Sequence, residues 1–589
     1  MQEDRLSRVA AGCAFIAVSL LAALFALHRL FDLDVLWHLK TGGWILDAGR
    51  VPWTDPFGGI TAGEPWLDVA WGGQIAAALI VRVLGLTGLQ LLMVALVLGT
   101  LLLFARSAPR TPLVLVSTLL FVILCGQRFL VRPDLLAFPL TLLAVELLER
   151  IRLGSRPALA GVALLSAVWV NTHGSFILVP ILIVAGALGS VRSPAPAAIL
   201  RSYGAALGIF FLGSLVNPYT FRIYRLFTPY FRSLLASVGL LPSAEYLGVA
   251  EWTPTWRAAA FDPIFPTLAF LLFFLVLIVS FLRVAGSVPL SRVLGAVALA
   301  VLGLGAVRNL LPFGAAALAV IAFNERDRLR RDRGGVEGRG RFALGGRAAG
   351  IGIAAGVLAV AGTFCRAVLT DGYYVRRNLP IVTGIGVYPD LVPEGAIGWL
   401  AGHEPPGRLF NNYNSGAYLL YRLHPGVRPY IDARFDTSRR YQEVERLLGV
   451  EDAFDAWASR EGIGTVVLFH PSPESFSLLP HLSQDPGWVM VFRDANSTVH
   501  VRAAMEARAR ARPIPLPPAV ELAAEAINAR LGRFKRASLP AAELTDAFIS
   551  RILGDMEGEK EAYRRALTRS PRNPAALDYF ATQDGPPVP

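Results

Sequence analysis

The chain has 589 residues, of which 54% are hydrophobic and only 17% are charged. Soluble domains are closer to one-quarter charged, and the apolar residues here concentrate in runs of about 16–23 residues, enough to cross roughly 30 Å of hydrocarbon. The composition excludes a soluble globular protein and predicts a polytopic α-helical membrane protein. The net charge of +12 does not indicate nucleic-acid binding, because most arginines lie between apolar runs, where membrane orientation explains them.

The first apolar run, residues 9–30, predicts an uncleaved membrane helix rather than a signal peptide, because the run follows Cys13 instead of preceding it. All three cysteines lie in apolar runs, which is typical of buried residues and gives neither a disulfide framework nor a metal-binding spacing. The predicted spans are 9–30, 88–105, 111–127, 134–150, 157–171, 175–191, 201–216, 263–283, 290–306, 309–324 and 348–370.

Residues 71–84 are apolar but short, so they predict either a twelfth span or an amphipathic helix on the outer interface. The positive-inside rule favours about eleven spans, because nearly every short basic loop then lies on one side, which we assign to the cytoplasm. This topology predicts a cytoplasmic N-terminus and a C-terminal region on the outer face of the membrane.

The opposite, outer face then collects residues 31–87 and the region after about 371, together with several helix ends that carry single charges. Charges at membrane depth are costly and tend to line a polar cavity. We therefore expect a shared outer cavity lined by Asp32, Asp34, Arg128, Arg132, His173 and Arg308.

Short runs rich in aromatic and β-branched residues predict a small α/β domain over 371–505 in the outer compartment, with helices expected over 437–448 and 451–462. Among its strand-like runs are RLFNNYNSGAYLLYRL and VRPYIDARFD. A basic, proline-rich linker is expected over 506–518. The tail, 519–589, is predicted to be helical and resembles part of one tetratricopeptide repeat. One repeat cannot bury its own apolar face, so the tail is interpreted as a cap or docking element.

The stretch DLDVLWHLKTGG, beginning at Asp32, crowds two carboxylates, His38 and Lys40 at the mouth of the first predicted span. One interpretation is a helix end with interfacial charges and an aromatic belt. The other is chemistry, because a carboxylate can act as a general base, and a pair of carboxylates can hold a divalent cation.

The single arginines and the histidine of the outer face also allow two interpretations. Arg128, Arg132 and Arg308 either snorkel to lipid headgroups or clamp a lipid phosphate through their guanidinium forks. His173 is either a structural residue or a hydrogen-bonding partner for a sugar or phosphate. NNYNSGAYL and YIDARFD could bind sugar, although turn chemistry at strand ends is slightly favoured.

FDLDVLWHLKTGGWILDAGRVPWTDPF followed by EPWLDVAWGGQ resembles the first outer loop of a bacterial family of GT-C-type membrane glycosyltransferases. RPDLLAFPL, NTHGSF, VNPYTFRIY, EWTP and the NYNSGAYLLYRL and YIDARFD segments resemble later landmarks, so the resemblance extends to about residue 500. The matching first-loop residues are Asp32, Asp34, Trp37, His38, Gly42, Trp44, Gly49, Pro52, Asp55, Pro56 and Phe57.

That superfamily includes the oligosaccharyltransferase catalytic subunit, protein O-mannosyltransferases and the aminoarabinose transferases of lipid A. The resemblance implies a bacterial inner-membrane protein whose outer face, with the α/β domain, is periplasmic. It also implies a polyprenyl-phosphate sugar donor, an active site at that face and an essential first-loop acid, which by position is Asp32 with Asp34 as its partner. His38, Lys40, the three arginines and His173 are then candidate substrate-binding residues. The acceptor is left open between a glycan, a lipid and a protein.

Two further questions stay open at this point. The cofactor is either absent or a divalent cation such as Mg²⁺ or Mn²⁺, because relatives of both kinds exist. Two other functions compete with the enzyme: a non-catalytic envelope scaffold, which the partial repeat favours, and a transporter of lipid-linked sugar, which the scarcity of mid-helix charges disfavours.

Overall fold

The structure is a computed structural model that describes residues 2–193, 195–228, 232, 251, 253–257, 265–286, 288–333, 347–377, 379–435, 451–472, 474–508, 528–533, 535, 539–571 and 573–583. The chain forms two compact units. Unit 1 comprises Met1–Leu27, Val69–Ala76 and Gly88–Val368, and unit 2 comprises His28–Asp68, Ala77–Thr87 and Leu369–Pro589. The helix predicted over 437–448 and most of the predicted linker lie outside the described residues.

The described helices and strands are named here in chain order. The helices up to the last apolar one are α1 Gln2–Ala26, α2 Asp34–Ala48, α3 Trp71–Ser107, α4 Pro112–Cys125, α5 Ala137–Arg152, α6 Pro157–Trp169, α7 Leu178–Gly189, α8 Pro196–Ser214, α9 Phe265–Leu282, α10 Leu290–Gly305, α11 Leu310–Arg333 and α12 Arg347–Leu369. The remainder are α13 Gly372–Val375, α14 Glu394–Gly402, β1 Arg408–Asn411, α15 Tyr413–Leu423, α16 Glu451–Glu461, β2 Ile463–Phe469, α17 Glu474–Gln484, β3 Trp488–Arg493, β4 Ser497–Arg502, α18 Ala541–Ile552, α19 Met556–Arg569 and α20 Pro574–Gln583.

Among the described residues, seven helical segments are long and apolar enough to cross a membrane, so the chain is a multi-pass membrane protein. They are Leu6–Ala26, Trp71–Ser107, Gly174–Arg192, Pro196–Ser214, Phe265–Leu282, Val307–Asp332 and Ala348–Leu369. Three of the other predicted spans coincide with shorter apolar helices, Pro112–Arg128, Pro157–Trp169 and Leu290–Gly305. The predicted span 134–150 corresponds to α5, which ends in basic residues. The total of eleven spans stays a prediction.

The helix α3 joins two segments that the sequence analysis treats separately, residues 71–84 and the predicted span 88–105. Its 37 residues would extend about 55 Å, far more than one crossing of roughly 30 Å requires. The helix is interrupted at Gly85, whose φ of 69° and ψ of −177° suit glycine because other residues rarely adopt that conformation. The interruption therefore divides α3 into a short first part and a second part of membrane-spanning length.

Unit 1 is built around α11, which packs against α4, α5, α9 and α10. Near the basic end of α11, Arg292 donates to Glu149 at 2.6 Å and to Asn324 at 2.9 Å, and Arg152 pairs with the same glutamate at 2.5 Å. These side chains are largely buried, and the ion pairs together with the hydrogen bond to Asn324 connect α5, α10 and α11. A small cavity of about 50 Å³ beside Glu149 and Arg292 is otherwise mostly apolar.

Unit 2 contains a four-stranded sheet in the order β1-β2-β4-β3, with β1 parallel to β2 and the other pairs antiparallel. Every residue of β2, IGTVVLF, is buried, as expected for a central strand with helices on both faces. The main core on one face includes Phe410, Trp457, Val466 and Trp488, and Ile549 of α18 joins it. The tail helix α18 therefore packs onto the α/β domain.

Of two strand-like predictions in this unit, one is right only in part and the other is wrong. Only Arg408–Asn411 of RLFNNYNSGAYLLYRL is a strand, and the remainder forms α15. The helix forms because Ser415, Leu419 and Leu423 recur at the helical period and all three are buried. The described part of VRPYIDARFD, residues 427–435, contains a short 3₁₀ turn at Ala433–Phe435 rather than a strand.

Candidate functional site

The two first-loop acids lie at the start of α2. Asp34 is the first residue of this helix, and its backbone N–H donates to Asp32 Oδ1 at 3.1 Å. A carboxylate at a helix N-terminus is stabilised by the unpaired N–H groups there and by the helix dipole. Both acids are partly buried. This local geometry fixes the Asp32 carboxylate relative to the helix axis.

The other two first-loop candidates, His38 and Lys40, lie further along the same helix. The buried His38 ring packs on Trp37, with 3.6 Å between the ring centroids. Lys40 Nζ donates to the backbone carbonyl of His424 at 2.7 Å. Burial lowers the pKa of Lys40, and the Asp47 charge offsets this in part. The structure thus gives Lys40 a contact that ties α2 to the residue after α15.

A buried ionic cluster in unit 2 connects the first loop to the YIDARFD segment. Arg434 Nη1 donates to Asp55 Oδ1 at 2.6 Å, and its Nη2 donates to Asp432 Oδ2 at 2.7 Å. All three side chains are essentially inaccessible to solvent. Burial alone would lower the pKa of Arg434, but the two carboxylates raise it above its usual value. The sequence patterns do not indicate this cluster, because YIDARFD predicts a strand-like run, a turn or a sugar-binding segment but no partner for Arg434.

The predicted arginines Arg128 and Arg132 lie together in unit 1 around two carboxylates. Arg128 donates to Glu251 and to Asp134, each at 2.7 Å. Arg132 also donates to Glu251 Oε1, and its Nε lies 3.9 Å from Asp134 Oδ1. Burial would raise the pKa of Glu251, but the arginines hold it well below its usual range. The guanidinium groups are therefore oriented by charged partners.

His173 and Arg308 belong to the same neighbourhood as this cluster. His173 Nδ1 accepts from the backbone N–H of Ser175 at 3.2 Å and lies 2.7 Å from its hydroxyl, so the ring caps a short helical turn. Burial lowers its pKa to about 4, although Asp134 acts in the opposite direction, and Arg308 adds to the lowering. His173 is therefore neutral near pH 7 and could donate a hydrogen bond through one ring nitrogen.

Two carboxylates of the cluster, Asp134 and Glu251, were not among the predicted site residues. Both occur inside segments that the sequence analysis marked as family landmarks, RPDLLAFPL and EWTP. Asp134 follows Arg132 by two residues, whereas Glu251 is 123 residues from Arg128, so only the nearby pairing has a local signal. The first-loop acids belong to unit 2 and the arginine cluster to unit 1, so the shared outer cavity stays a prediction.

One three-residue group with metal-ligand chemistry exists among the described residues, formed by Asp455, His481 and Asp485. Its members already bind protein groups: His481 Nε2 lies 2.8 Å from Asp455 Oδ2, and Trp488 Nε1 donates to Asp455 Oδ1 at 2.9 Å. The guanidinium of Arg502 also lies 3.5 Å from Asp455 and would repel a cation. We interpret this group as a structural network.

These features define a helical membrane protein that carries an acid pair at the end of its first span and a separate buried arginine–carboxylate cluster. No protein-family model matches the chain, and no curated protein matches it. Among solved structures, it is similar to the archaeal oligosaccharyltransferase AglB from Archaeoglobus fulgidus, determined with an inhibitory peptide and a dolichol-phosphate. The identity is 13% and the TM-score 0.48, covering 98% of this chain and 87% of the other.

A second similar structure is an A. fulgidus oligosaccharyltransferase tethered to an acceptor peptide that contains the NVT sequon. It has 13% identity and a TM-score of 0.47, and covers 77% of this chain and 69% of the other. An apo form of the A. fulgidus oligosaccharyltransferase has a TM-score of 0.46 at the same identity and coverage.

Proposed function

We propose that this chain is a GT-C-type membrane glycosyltransferase that transfers a sugar from a polyprenyl-phosphate donor to an envelope acceptor at the periplasmic face of the membrane. The observation that carries the proposal is the acid pair at the N-terminus of α2: Asp34 is the first residue of this helix, and Asp32 precedes it and accepts its backbone N–H. The first-loop motif that resembles this class supplies the same two residues.

The reaction is a direct displacement at the anomeric carbon with inversion. Asp32 is the general base and accepts the proton of the acceptor hydroxyl. The acceptor oxygen then forms its bond to the anomeric carbon as the bond from that carbon to the phosphate oxygen breaks. Polyprenyl phosphate leaves with the electron pair of the broken bond. The backbone N–H of Asp34 orients Asp32, and the carboxylate of Asp34 assists the base or helps to hold a cation, so loss of its charge should lower turnover.

The arginine cluster supports the proposal because its chemistry suits a phosphate. Arg128 and Arg132 present guanidinium groups that Asp134 and Glu251 orient. Guanidinium forks match phosphate oxygens and stabilise negative charge on a leaving group. In the proposed enzyme these arginines and Arg308 bind the donor phosphate, and neutral His173 adds a hydrogen-bond donor.

A divalent cation is compatible with the residues present, because the carboxylate oxygens of Asp32 and Asp34 are ligands that Mg²⁺ and Mn²⁺ accept. When bound, such a cation would neutralise charge on the donor phosphate. Adding a chelator to the turnover assay tests this part of the proposal.

The chain segments that form unit 2 support the proposed number of membrane crossings. Unit 2 comprises His28–Asp68, Ala77–Thr87 and Leu369–Pro589 and contains the four-stranded sheet. In the proposed topology all of unit 2, including Ala77–Thr87, is at the outer face, so the chain from Gly88 to Val368 crosses the membrane an even number of times. The predicted spans that follow the first number ten, whereas counting 71–84 as a crossing would make them eleven.

The decisive experiment measures turnover of a radiolabelled polyprenyl-phosphate sugar pool in membranes that contain matched amounts of wild-type or variant protein. Asp32→Asn should abolish turnover, and Asp34→Asn should lower it. Asp47→Asn is the control, because Asp47 lies on the same helix and pairs with Arg82 at the surface. This control should retain wild-type activity.

Each outcome has a definite meaning. Wild-type turnover that survives Asp32→Asn would show that another residue is the base. Absence of turnover in the wild type across the polyprenyl-phosphate sugars of the host envelope would favour the scaffold function. In that case truncation of the tail, and not Asp32→Asn, should be the change that impairs the envelope.

A further inference from the structure

The residues on both sides of Asp32 are held by the C-terminal part of unit 2. Before it, the backbone N–H of Arg29 donates to Val382 O and that of Leu30 donates to Gly386 O, each at 2.8 Å. Phe31 packs against a small cluster that contains Val382 and Tyr388. The chain that leaves the first span is thereby paired with the segment that follows α12.

After Asp32, the helix α2 packs along α15. Trp37 and Trp44 of α2 pack against a core formed by Phe57 and Trp66 of the first loop and Leu420 of α15. Lys40 adds its hydrogen bond to the carbonyl of His424. The acid pair therefore lies between two contacts that the same C-terminal region provides.

Arg434 is the charged centre of this arrangement. Its guanidinium lies 4.8 Å from the ring centroid of Phe57 and 5.1 Å from that of Trp66. The guanidinium also pairs with Asp55 and Asp432, and only 1% of the Arg434 side chain is exposed to solvent. Asp55 also accepts from Thr61 Oγ1 at 2.6 Å and from the backbone N–H of Phe57 at 3.0 Å. One side chain thus connects the ionic cluster to the aromatic core beneath α2.

The backbone contacts around this cluster leave little room for adjustment. Gly59 has a φ of 81°, and a Cβ at this position would overlap the carbonyl oxygens of Pro429 and Tyr430. A Cβ at Gly416 of α15 would overlap the carbonyl oxygen of Ile431. The segment before Arg434 is therefore in close backbone contact with the first loop and with α15. We expect a displacement of Arg434 to move the first loop as well.

We propose that Arg434 is a positioning residue for the first-loop acids: through Asp55, Phe57 and Trp66 it fixes α2 and hence the carboxylates of Asp32 and Asp34. This inference rests on the proposed function, because it assigns Arg434 to the same site. Arg434 makes no contact with substrate in this proposal. It acts through the aromatic core that it covers.

The kinetic test compares Arg434→Met with Arg408→Met in the full-length chain. Arg408 is a matched control because it also makes an ion pair, with Glu461 at 3.1 Å, and also covers an aromatic ring, that of Tyr430. Arg434→Met should lower kcat per folded enzyme by about 100-fold, since misplacement of a catalytic group by about 1 Å has an effect of this size. The KM for the donor should change by no more than about twofold, because the proposed phosphate-binding residues are intact.

The conservative variant Arg434→Lys separates positioning from stability. Lysine retains the charge between Asp55 and Asp432 but lacks the planar fork, so about a tenth of wild-type kcat should return. A merely structural Arg434 would lower the yield of folded protein and leave kcat per folded molecule unchanged in both variants. If Arg434→Met does not fold, Arg434→Lys and Asp55→Asn provide the same comparison.

A second measurement does not need turnover. Asp32→Cys is placed in a full-length chain whose three native cysteines are replaced, and its labelling rate with a membrane-impermeant maleimide is measured. Adding Arg434→Met should raise this rate about tenfold through local opening of α2, whereas adding Arg408→Met should leave it unchanged. Equal rates in the two backgrounds would overturn the inference.

The two measurements distinguish the failure of each idea. Absence of wild-type turnover together with faster labelling in Arg434→Met would reject the proposed function and retain the positioning role. Normal kcat and unchanged labelling in Arg434→Met would reject the positioning role and leave the proposed enzyme intact.

Discussion

Replacing Glu251 with glutamine should make the protein less stable and, if the arginine cluster binds phosphate, should make it bind its donor more tightly. Glu251 accepts hydrogen bonds from both Arg128 and Arg132. Glutamine has the same shape but no charge. In Glu251→Gln both arginines therefore lose one charged partner and keep Asp134, and the cluster gains one unit of positive charge.

The size of each effect follows from burial and charge. Breaking a fully buried ion pair costs about 3–5 kcal/mol. The Glu251 side chain is 25% exposed, and glutamine still offers one acceptor oxygen, so a loss of about 1–3 kcal/mol in the free energy of unfolding is expected. The arginine donors that Glu251 releases can serve a phosphate, and about 1.4 kcal/mol of added binding corresponds to a tenfold lower KM for the donor.

The assay measures both quantities on purified protein, by unfolding in mixed micelles and by initial rates against donor concentration. Glu146→Gln is the control, because Glu146 pairs with the exposed Arg150 at 2.8 Å and exposed pairs contribute about 0–1 kcal/mol. A donor KM that is unchanged or higher in Glu251→Gln, with stability reduced as expected, would refute the phosphate role and make the cluster purely structural.

Three further predictions concern parts of the fold outside the acid pair and the arginine cluster. Glu149→Gln should reduce the free energy of unfolding by about 3 kcal/mol, because Arg152 and Arg292 lose a buried carboxylate that they share. A loss no larger than that of Glu146→Gln would contradict this. Burial lowers the pKa of His500 to about 4 from 6.5, so the stability it confers is complete above pH 6.5 and is lost as the pH falls towards 4. His500→Leu should remove up to about 1.4 kcal/mol per pH unit from that dependence, as measured by unfolding between pH 4 and 8, and an equally steep curve in the variant would contradict this. Gly85→Ala should destabilise α3 by about 1–3 kcal/mol, because alanine rarely adopts the backbone conformation of Gly85. Gly99→Ala is the control: Gly99 is in open space on the same helix, so this change should be neutral or slightly stabilising. Equal effects of the two changes on thermal unfolding would contradict a break in the helix at Gly85.

The sequence predicts the apolar helices well because their signal is local. Length and composition within one window suffice to place them, and Leu6–Ala26 and Ala348–Leu369 coincide with predicted spans to within a few residues. The buried strand β2 is similarly visible as a short apolar run. The sequence also contains a local pattern that indicates the helix α2: Val35, Leu36 and Leu39 follow the helical period, and all three are buried.

The ionic clusters could not be predicted in this way, because their partners are far apart in the chain. Arg434 and Asp55 are separated by 379 residues, and Arg128 and Glu251 by 123. Neither hydrophobic period nor spacing in one sequence indicates which distant charges meet. Topology alone assigns the arginines to one side of the membrane. It does not indicate that carboxylates already accept hydrogen bonds from these arginines.

Burial separates two kinds of residue within the first-loop motif. Asp55 is buried, and its oxygens accept from Thr61, from the backbone of Phe57 and from Arg434, so its carboxylate is committed to holding the loop. Asp32 and Asp34 are only partly buried and stand at a helix N-terminus. A carboxylate that accepts a proton from a substrate must be reachable by that substrate, which Asp55 is not. Three of the four aspartates of this motif therefore fall into two groups: Asp32 and Asp34 are partly exposed, as the proposed chemistry requires, whereas Asp55 is buried among the groups that hold the loop, a division that the letters of the motif do not reveal.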